Sequence, residues 1–192
     1  MRVLLDAREY ATALPLTGKG TRATEALLKR IAHALAADGH RVDVVTAEPE
    51  EHYIDGVMWW PSTYFPHQCD VLIAFERLDR IGEFRFDRLF VSLNRIDPTL
   101  AGNEAKVDKF VCFSDNHVDV LLKIRPTIRR EQCVVIGPGV EVPTKVMPRV
   151  RDRLLWTNSP DRGLLHVARF WPRLLELVPD ATISVTYDFD GY

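Results

Sequence analysis

The sequence has few cysteines, and they are not spaced for a metal or redox motif. Only Cys69, Cys112 and Cys133 occur among the 192 residues, and no two of them form a C-x-x-C pair. Each lies inside or at the edge of an apolar run, so we expect small buried side chains in a reducing compartment. The six histidines show no H-x-H or H-E-x-x-H spacing. We therefore predict neither a disulfide scaffold nor a metal site.

The sequence also has nearly balanced charges and no long hydrophobic run. Its 25 basic and 27 acidic residues leave a formal net charge of -2, which argues against general binding of DNA or RNA. No segment approaches the ~18 apolar residues that a transmembrane helix needs. The pattern of the first residues is typical of a strand and lacks the apolar h-region of a signal peptide. These features predict a cytoplasmic protein with no transmembrane segment.

Continuous apolar runs recur along the first 141 residues, with helical segments or long connections between them. Continuous runs, unlike alternating ones, are typical of parallel strands that are covered on both faces. The pattern predicts an α/β protein with a Rossmann-like, doubly wound parallel sheet. The predicted strands cover residues 2–7, 41–46, 56–60, 69–75, 89–93, 109–113 and 133–136.

Two helices are predicted within this part of the chain. The first covers about residues 21–38 and ends at Gly39, a residue that favours helix termination. Its predicted apolar stripe contains Leu27, Ile31, Ala34 and Leu35. The second begins near Asn116, after the capping residue Ser114, and ends before Pro126.

The pattern changes near Val140, where two prolines and little periodicity indicate a linker. We predict a first domain at residues 1–141, a linker at 142–152 and the incomplete start of a second Rossmann-like domain at 153–192. In that second part, the pattern predicts a strand at 153–157, a helix at 161–177 and a strand at 181–187. Pro172 predicts a kink or break in this helix near Trp171.

Two segments have the character of phosphate-binding loops at helix N-termini. Gly18, Lys19 and Gly20 form part of a G-x-G-x-x-A match, although about ten residues separate it from the first strand. Ser159 and Pro160 suit the start of the last predicted helix, where Arg162 and Gly163 would present a fixed positive charge to a diphosphate. The alternatives are a flexible loop for the first segment and a well-capped surface helix for the second.

Polar residues and glycines also follow predicted strands, where open α/β sheets bind ligands. Asn94, Arg95 and Asp97 come directly after a buried strand, and Gly137 and Gly139 close the first domain. Alternatively, these segments form a solvated loop and a plain turn. Among the histidines, only His117 is predicted to lie near a strand end.

Taken together, these segments resemble the retaining glycosyltransferases of family four, which have the GT-B architecture. The resemblance is carried by Val111-Cys112-Phe113-Ser114 before a helix, by Cys133 to Glu141, and by Trp156 to Ala181. It covers most of the chain. The sequence differs from the family pattern at Thr157, where a basic residue is usual, and at Asn94, where a histidine is frequent.

The resemblance implies two Rossmann-like domains, the first binding the acceptor and the second binding a nucleotide-sugar. Gly18, Lys19, Gly20, Ser159, Arg162 and Gly163 would then bind the donor diphosphate, and Asn94, Arg95, Asp97, Gly137 and Gly139 would line the acceptor side. The nucleotide-sugar is a co-substrate, and neither a cofactor nor a metal is implied. The glutamate pair that holds the donor sugar in the family would lie beyond Tyr192, so we expect a homo-oligomer or partner protein to cover the incomplete second domain.

Three functions are therefore considered. The first is transfer of a sugar from a nucleotide-sugar to an unknown acceptor, with this short form inactive if the sugar-holding half is needed. The second is a non-catalytic remnant of the same fold that binds a sugar or a protein. The third is a dinucleotide-binding Rossmann module, which the long first loop disfavours.

Overall fold

A computed structural model describes residues 1–9, 23–95, 98–139 and 148–186 of the chain. The chain forms two compact units, Met1–Val140 and Glu141–Tyr192. None of the described helices combines the length and the apolar run that a membrane crossing requires.

The larger unit contains a mostly parallel sheet of eight described strands. Seven run parallel, and β3 is antiparallel to β4 at one edge. The order across the sheet is β3-β4-β2-β1-β5-β6-β7-β8, so the chain moves outward from β1 in one direction and then in the other. This topology confirms the α/β prediction and is compatible with a Rossmann-like fold. The strands are β1 (Arg2–Asp6), β2 (Arg41–Thr46), β3 (His52–Ile54), β4 (Val57–Pro61), β5 (Val71–Phe75), β6 (Arg88–Ser92), β7 (Lys109–Cys112) and β8 (Cys133–Val135).

Strand β3 is the element of this sheet that sequence reasoning missed. It forms a hairpin with β4 through Asp55 and Gly56, which have positive φ angles of 48° and 84°. Asp-Gly favours two-residue hairpin turns because both central positions need φ above zero. The dipeptide was therefore a usable signal for a strand too short to form an apolar run.

Helix α1 (Ala23–Ala37) packs on one face of the sheet and α2 (Asp115–Ile124) packs on the other. The predicted stripe of α1 is partly wrong, because Ala34 is exposed while Leu28 and Ala32 are buried. Leu28, Ala32 and Leu35 are spaced i, i+4 and i+7, which is the period of a helical face. The small side chain of Ala32 suits the centre of this contact.

Both helix boundaries have local causes. Gly39 has φ of 83°, and its N–H and that of His40 donate to the carbonyls of Ala36 and Leu35. This pair of hydrogen bonds is the Schellman arrangement, which a glycine in this position permits. At the start of α2, the Ser114 side chain accepts a hydrogen bond from the N–H of His117, as expected for a capping serine.

The core of the larger unit lies on both sides of the sheet. The first side joins Leu28 and Ala32 of α1 to Val44 and Trp59. The other side includes Leu4, Leu72, Leu89, Phe110 and Leu121. Each large apolar side chain that becomes fully buried contributes roughly 1.5–3 kcal/mol, so both layers stabilise the sheet.

The smaller unit contains β9 (Arg153–Trp156), α3 (Leu164–Leu177) and β10 (Thr182–Val185). The two strands pair in parallel, as the predicted strand-helix-strand order requires. The prediction for Pro172 is a kink or a break near Trp171. Helix α3 continues through Pro172, so a break is wrong, and a kink stays a prediction. Ala181 is buried in this unit, whereas Leu155, Phe170 and Leu177 are 63%, 71% and 71% exposed. The described part of this unit has one helix beside two strands, and it buries few apolar side chains.

Candidate functional site

The candidate site lies at the carboxyl ends of the central strands of the larger unit. Strand β1 pairs with β2 on one side and with β5 on the other, and this is where the direction of the chain across the sheet reverses. Ligands of open α/β sheets bind outside the carboxyl ends at such a point. Glu76 follows β5, Asn94 follows β6 after one residue, and Phe113 follows β7.

Glu76 is the centre of the polar contacts at this edge. Its side chain is completely buried, and its backbone has a positive φ of 61°. One carboxylate oxygen accepts the N–H of Asn94 at 3.0 Å, and the other accepts Nε of Arg95 at 2.6 Å. Positive φ is uncommon for residues other than glycine, and residues held in that region concentrate at functional sites.

The backbone of Glu76 is held as firmly as its side chain. Its N–H donates to the carbonyl of Ser92 at 3.1 Å, and its carbonyl accepts the N–H of Thr99 at 2.9 Å. The residue therefore connects the end of β5 to chain segments on both sides of residues 94 and 95. Sequence reasoning missed Glu76, although a carboxylate directly after the apolar run of β5 was an available signal.

Asn94 has a buried side-chain amide without a hydrogen-bond partner in the part of the chain that the structure describes. Both Oδ1 and Nδ2 are out of solvent, and neither is paired with any of the residues that the structure describes. Leaving such a group unpaired costs about 1–3 kcal/mol, so a polar partner for it is strongly favoured. An amide offers two N–H donors and one carbonyl acceptor, which suits the hydroxyl groups of a ligand.

Arg95 and His117 extend the arrangement to the end of β7. The Arg95 side chain is 62% exposed, and its backbone carbonyl lies 3.3 Å from Nε2 of His117. Nδ1 of His117 accepts the N–H of Phe113, also at 3.3 Å. Since Nδ1 accepts, Nε2 carries the proton and donates to Arg95. The prediction that His117 lies near a strand end is confirmed.

Two further arginines at this edge are occupied by carboxylates. Arg8, just beyond β1, pairs with Asp6 and Glu83, and Arg77 pairs with Glu9 and Asp79. Hydrogen bonding to Asp79 raises the pKa of Arg77 despite partial desolvation. These guanidinium groups are therefore engaged within the protein. Arg95 is also paired, through Glu76, but its side chain is more exposed, at 62%.

Several predicted ligand residues are not brought into this cluster. Gly18, Lys19, Gly20 and Asp97 lie outside the described residues. Gly137 and Gly139 follow β8 and are exposed, and neither has positive φ, so no unusual backbone conformation requires these glycines. A Cβ atom at Gly137 would lie 3.8 Å from the carbonyl of Phe113, which places this glycine beside the end of β7.

The diphosphate candidates of the smaller unit lie between β9 and α3. Pro160–Arg162 form a 3-10 turn, and α3 begins only at Leu164, so the predicted helix start at Asp161 is wrong. Gly163 separates the two elements because its φ of 113° interrupts regular helix geometry. The side chain of Ser159 makes no capping hydrogen bond, contrary to its predicted role.

Arg162 itself is exposed, and no ion pair or hydrogen bond of its side chain to a described residue is found. Glycine is favoured at position 163 because the backbone there is left-handed, with φ of 113°. A Cβ atom at this position would make only an ordinary contact, 3.7 Å, with the indole ring of Trp156.

The described residues contain no group of histidine, cysteine and carboxylate side chains arranged to hold a metal ion. The thiols are also poor nucleophiles. Burial raises the pKa of Cys69 to about 11 and that of Cys112 to about 12. No protein-family model matches the chain, and no curated protein matches it significantly.

Proposed function

We propose that this chain belongs to a retaining glycosyltransferase of GT-B architecture, which moves a sugar from a nucleotide-sugar to an acceptor. The larger unit would be the acceptor-side domain, and the smaller unit would be the start of the donor-binding domain. The observation that carries the proposal is the buried side-chain amide of Asn94, which has no hydrogen-bond partner among the described residues and lies beside Arg95 at the carboxyl edge of the sheet. The ordered sequence segments that resemble family four support it.

The proposed residues would act through binding and charge. Asn94 would donate hydrogen bonds to acceptor hydroxyl groups and accept hydrogen bonds from them. Arg95 would attract a negatively charged substituent of the acceptor. In the smaller unit, Arg162 would stabilise negative charge on the departing nucleoside diphosphate, together with the predicted Lys19. Preorganised positive groups of this kind usually lower the barrier more than any other single effect.

Calorimetry with UDP-, GDP- and ADP-sugars tests the donor half of the proposal. We expect saturable heat with at least one donor, a loss of about tenfold or more in affinity for Arg162→Ala, and an unchanged affinity for Arg169→Ala. Arg169 is a matched control because it is an exposed arginine of the same unit, on helix α3. Absence of binding for every donor, or equal losses in the two variants, rejects the proposed role.

A transfer assay tests the reaction class. The chain and any longer form of it are incubated with the donor that binds, and release of nucleoside diphosphate is measured with and without simple sugar acceptors. Since near-attack geometry requires both substrates to be held, the longer form is expected to be the more active. A longer form that binds the donor but neither hydrolyses nor transfers it favours the non-catalytic alternative.

A dinucleotide-binding module is the second candidate, because one observation favours it. The central parallel strands β4, β2, β1, β5, β6 and β7 follow the order 3-2-1-4-5-6 of dinucleotide-binding sheets. Glu48 lies two residues beyond β2, where such proteins place the acid that binds a ribose hydroxyl. NAD should then raise the thermal midpoint of the wild type, and Glu48→Gln should abolish that shift; no shift in the wild type removes this candidate.

A further inference from the structure

We infer that Glu76 is a positioning residue, which sets Asn94 and Arg95 for an acceptor that carries hydroxyl groups and a negative charge. The inference rests on the proposed function and concerns the acceptor side only. Glu76 itself is completely buried, and both of its carboxylate oxygens already accept hydrogen bonds within the protein, so it acts on a ligand only through Asn94 and Arg95.

Glu76 determines the path of the chain after β6. It accepts the backbone N–H of Asn94 at 3.0 Å, while its own N–H donates to Ser92 at 3.1 Å. Ser92 is the last residue of β6, and Asn94 lies two residues beyond it. Glu76 is therefore hydrogen-bonded both to the end of the strand and to the segment that follows it. The backbone position from which the Asn94 side chain projects therefore depends on this carboxylate.

The carboxylate of Glu76 also holds a positive charge in place. It binds Arg95 through Nε at 2.6 Å, while 62% of the Arg95 side chain remains in solvent. A guanidinium that is fixed from its buried side loses less conformational freedom when an anion binds on its exposed side. Asn94 beside it supplies amide donors and an acceptor. A hydroxyl-rich ligand with a phosphate or carboxylate group matches this pair.

The left-handed backbone of Glu76 is the third feature that points to positioning. A non-glycine residue at φ of 61° is strained and persists only when its surroundings hold it. The bonds to Ser92, Thr99, Asn94 and Arg95 supply that restraint. This conformation places the Glu76 carboxylate beside Asn94 and Arg95.

The experiment uses the full chain labelled with nitrogen-15 and follows the Asn94 amide and the Arg95 Nε–H during titration. The probes are methyl α-glucoside, which is neutral, and glucose 1-phosphate, which adds a negative charge. The variant Glu76→Gln keeps the side-chain length but removes the charge that holds Arg95. The control Asp43→Asn alters another buried carboxylate, 1% exposed and paired with Arg2, in strand β2.

The expected result is saturable shifts at both groups in the wild type, stronger for glucose 1-phosphate than for the neutral probe. Glu76→Gln should weaken glucose 1-phosphate binding about tenfold. The affinity of Asp43→Asn should stay within about twofold of the wild type, even if its thermal midpoint falls as far as that of Glu76→Gln. If Glu76→Gln does not fold, Glu76→Asp is used in its place and should also weaken glucose 1-phosphate binding about tenfold. The side chain of aspartate is one methylene shorter, so we expect its carboxylate not to reach both the Asn94 N–H and the Arg95 Nε.

Two results overturn the inference. One is an affinity within twofold of the wild type for a folded Glu76 variant. The other is a wild type whose Asn94 and Arg95 signals respond to neither probe. The first result leaves the proposed function standing. The second removes its acceptor-side support but not donor binding through Arg162, whereas a failure of all donors to bind rejects the proposed donor role independently.

Discussion

Replacement of Arg8 by methionine is expected to destabilise the larger unit by about 3–5 kcal/mol. The Arg8 side chain is only 6% exposed. Its Nε donates to Oδ1 of Asp6 and its Nη2 donates to Oδ2, both at 2.8 Å. Its Nη1 donates to Glu83 at 2.7 Å. The guanidinium carbon also lies 5.1 and 5.5 Å from the ring centres of Phe65 and Phe84.

The size of the effect follows from the exposure of the partners. Asp6 is 11% exposed, so removing Arg8 leaves a nearly buried carboxylate without its cation, and this accounts for most of the loss. Glu83 is 42% exposed and regains water, so its bond contributes less than about 1 kcal/mol. Burial lowers the pKa of Arg8, but hydrogen bonds and charge from Asp6 and then Glu83 outweigh it and raise the pKa.

Urea denaturation followed by circular dichroism measures the change, with an unchanged slope expected because the area exposed on unfolding does not alter. The double variant Arg8→Met with Asp6→Asn should be more stable than Arg8→Met alone by about 1 kcal/mol or more, since no charge is stranded. Arg88→Met is the matched control, because Arg88 is 67% exposed and pairs with Asp108; it should lose less than about 1 kcal/mol. Additive effects of the substitutions at Arg8 and Asp6, or equal losses for Arg8 and Arg88, would refute the reasoning.

Further predictions concern packing, thiol chemistry and backbone conformation. Phe110→Ala should lower the free energy of unfolding by about 3–5 kcal/mol, because Phe110 is fully buried. Phe170→Ala, at a 71% exposed site, should change it by less than about 0.5 kcal/mol. Equal losses for the two variants in urea denaturation would contradict this prediction. Burial raises the pKa of Cys112 to about 12, so iodoacetamide at pH 8 should modify it only after denaturation, and mass spectrometry that finds native modification would disprove this. Gly39→Ala should lose about 1 kcal/mol because φ is 83°, while Gly82→Ala, with ordinary φ and open space at Cβ, should be nearly neutral by the same denaturation assay.

The candidate site was partly predictable from the sequence. Asn94 and Arg95 were placed at a strand end because the apolar run of β6 stops just before them. Glu76 was missed, since its role depends on contacts with residues 18 and 19 positions further along the chain. Ser159 was misassigned for a related reason: the sequence pattern of a helix cap is present, but the left-handed backbone of Gly163 delays the start of α3.

By itself, the sequence determined the features that depend on neighbouring residues. Apolar runs marked the parallel strands, Gly39 ended α1 and Ser114 began α2, because hydrophobic period and backbone capping act over a few residues. The tertiary structure decided the order of the strands and hence which strand ends meet. It also decided that Asp6 is nearly buried beside Arg8 and that Glu76 is completely buried beside Arg95. Burial and charge pairing are set by segments far apart in the chain, so local sequence patterns do not contain them.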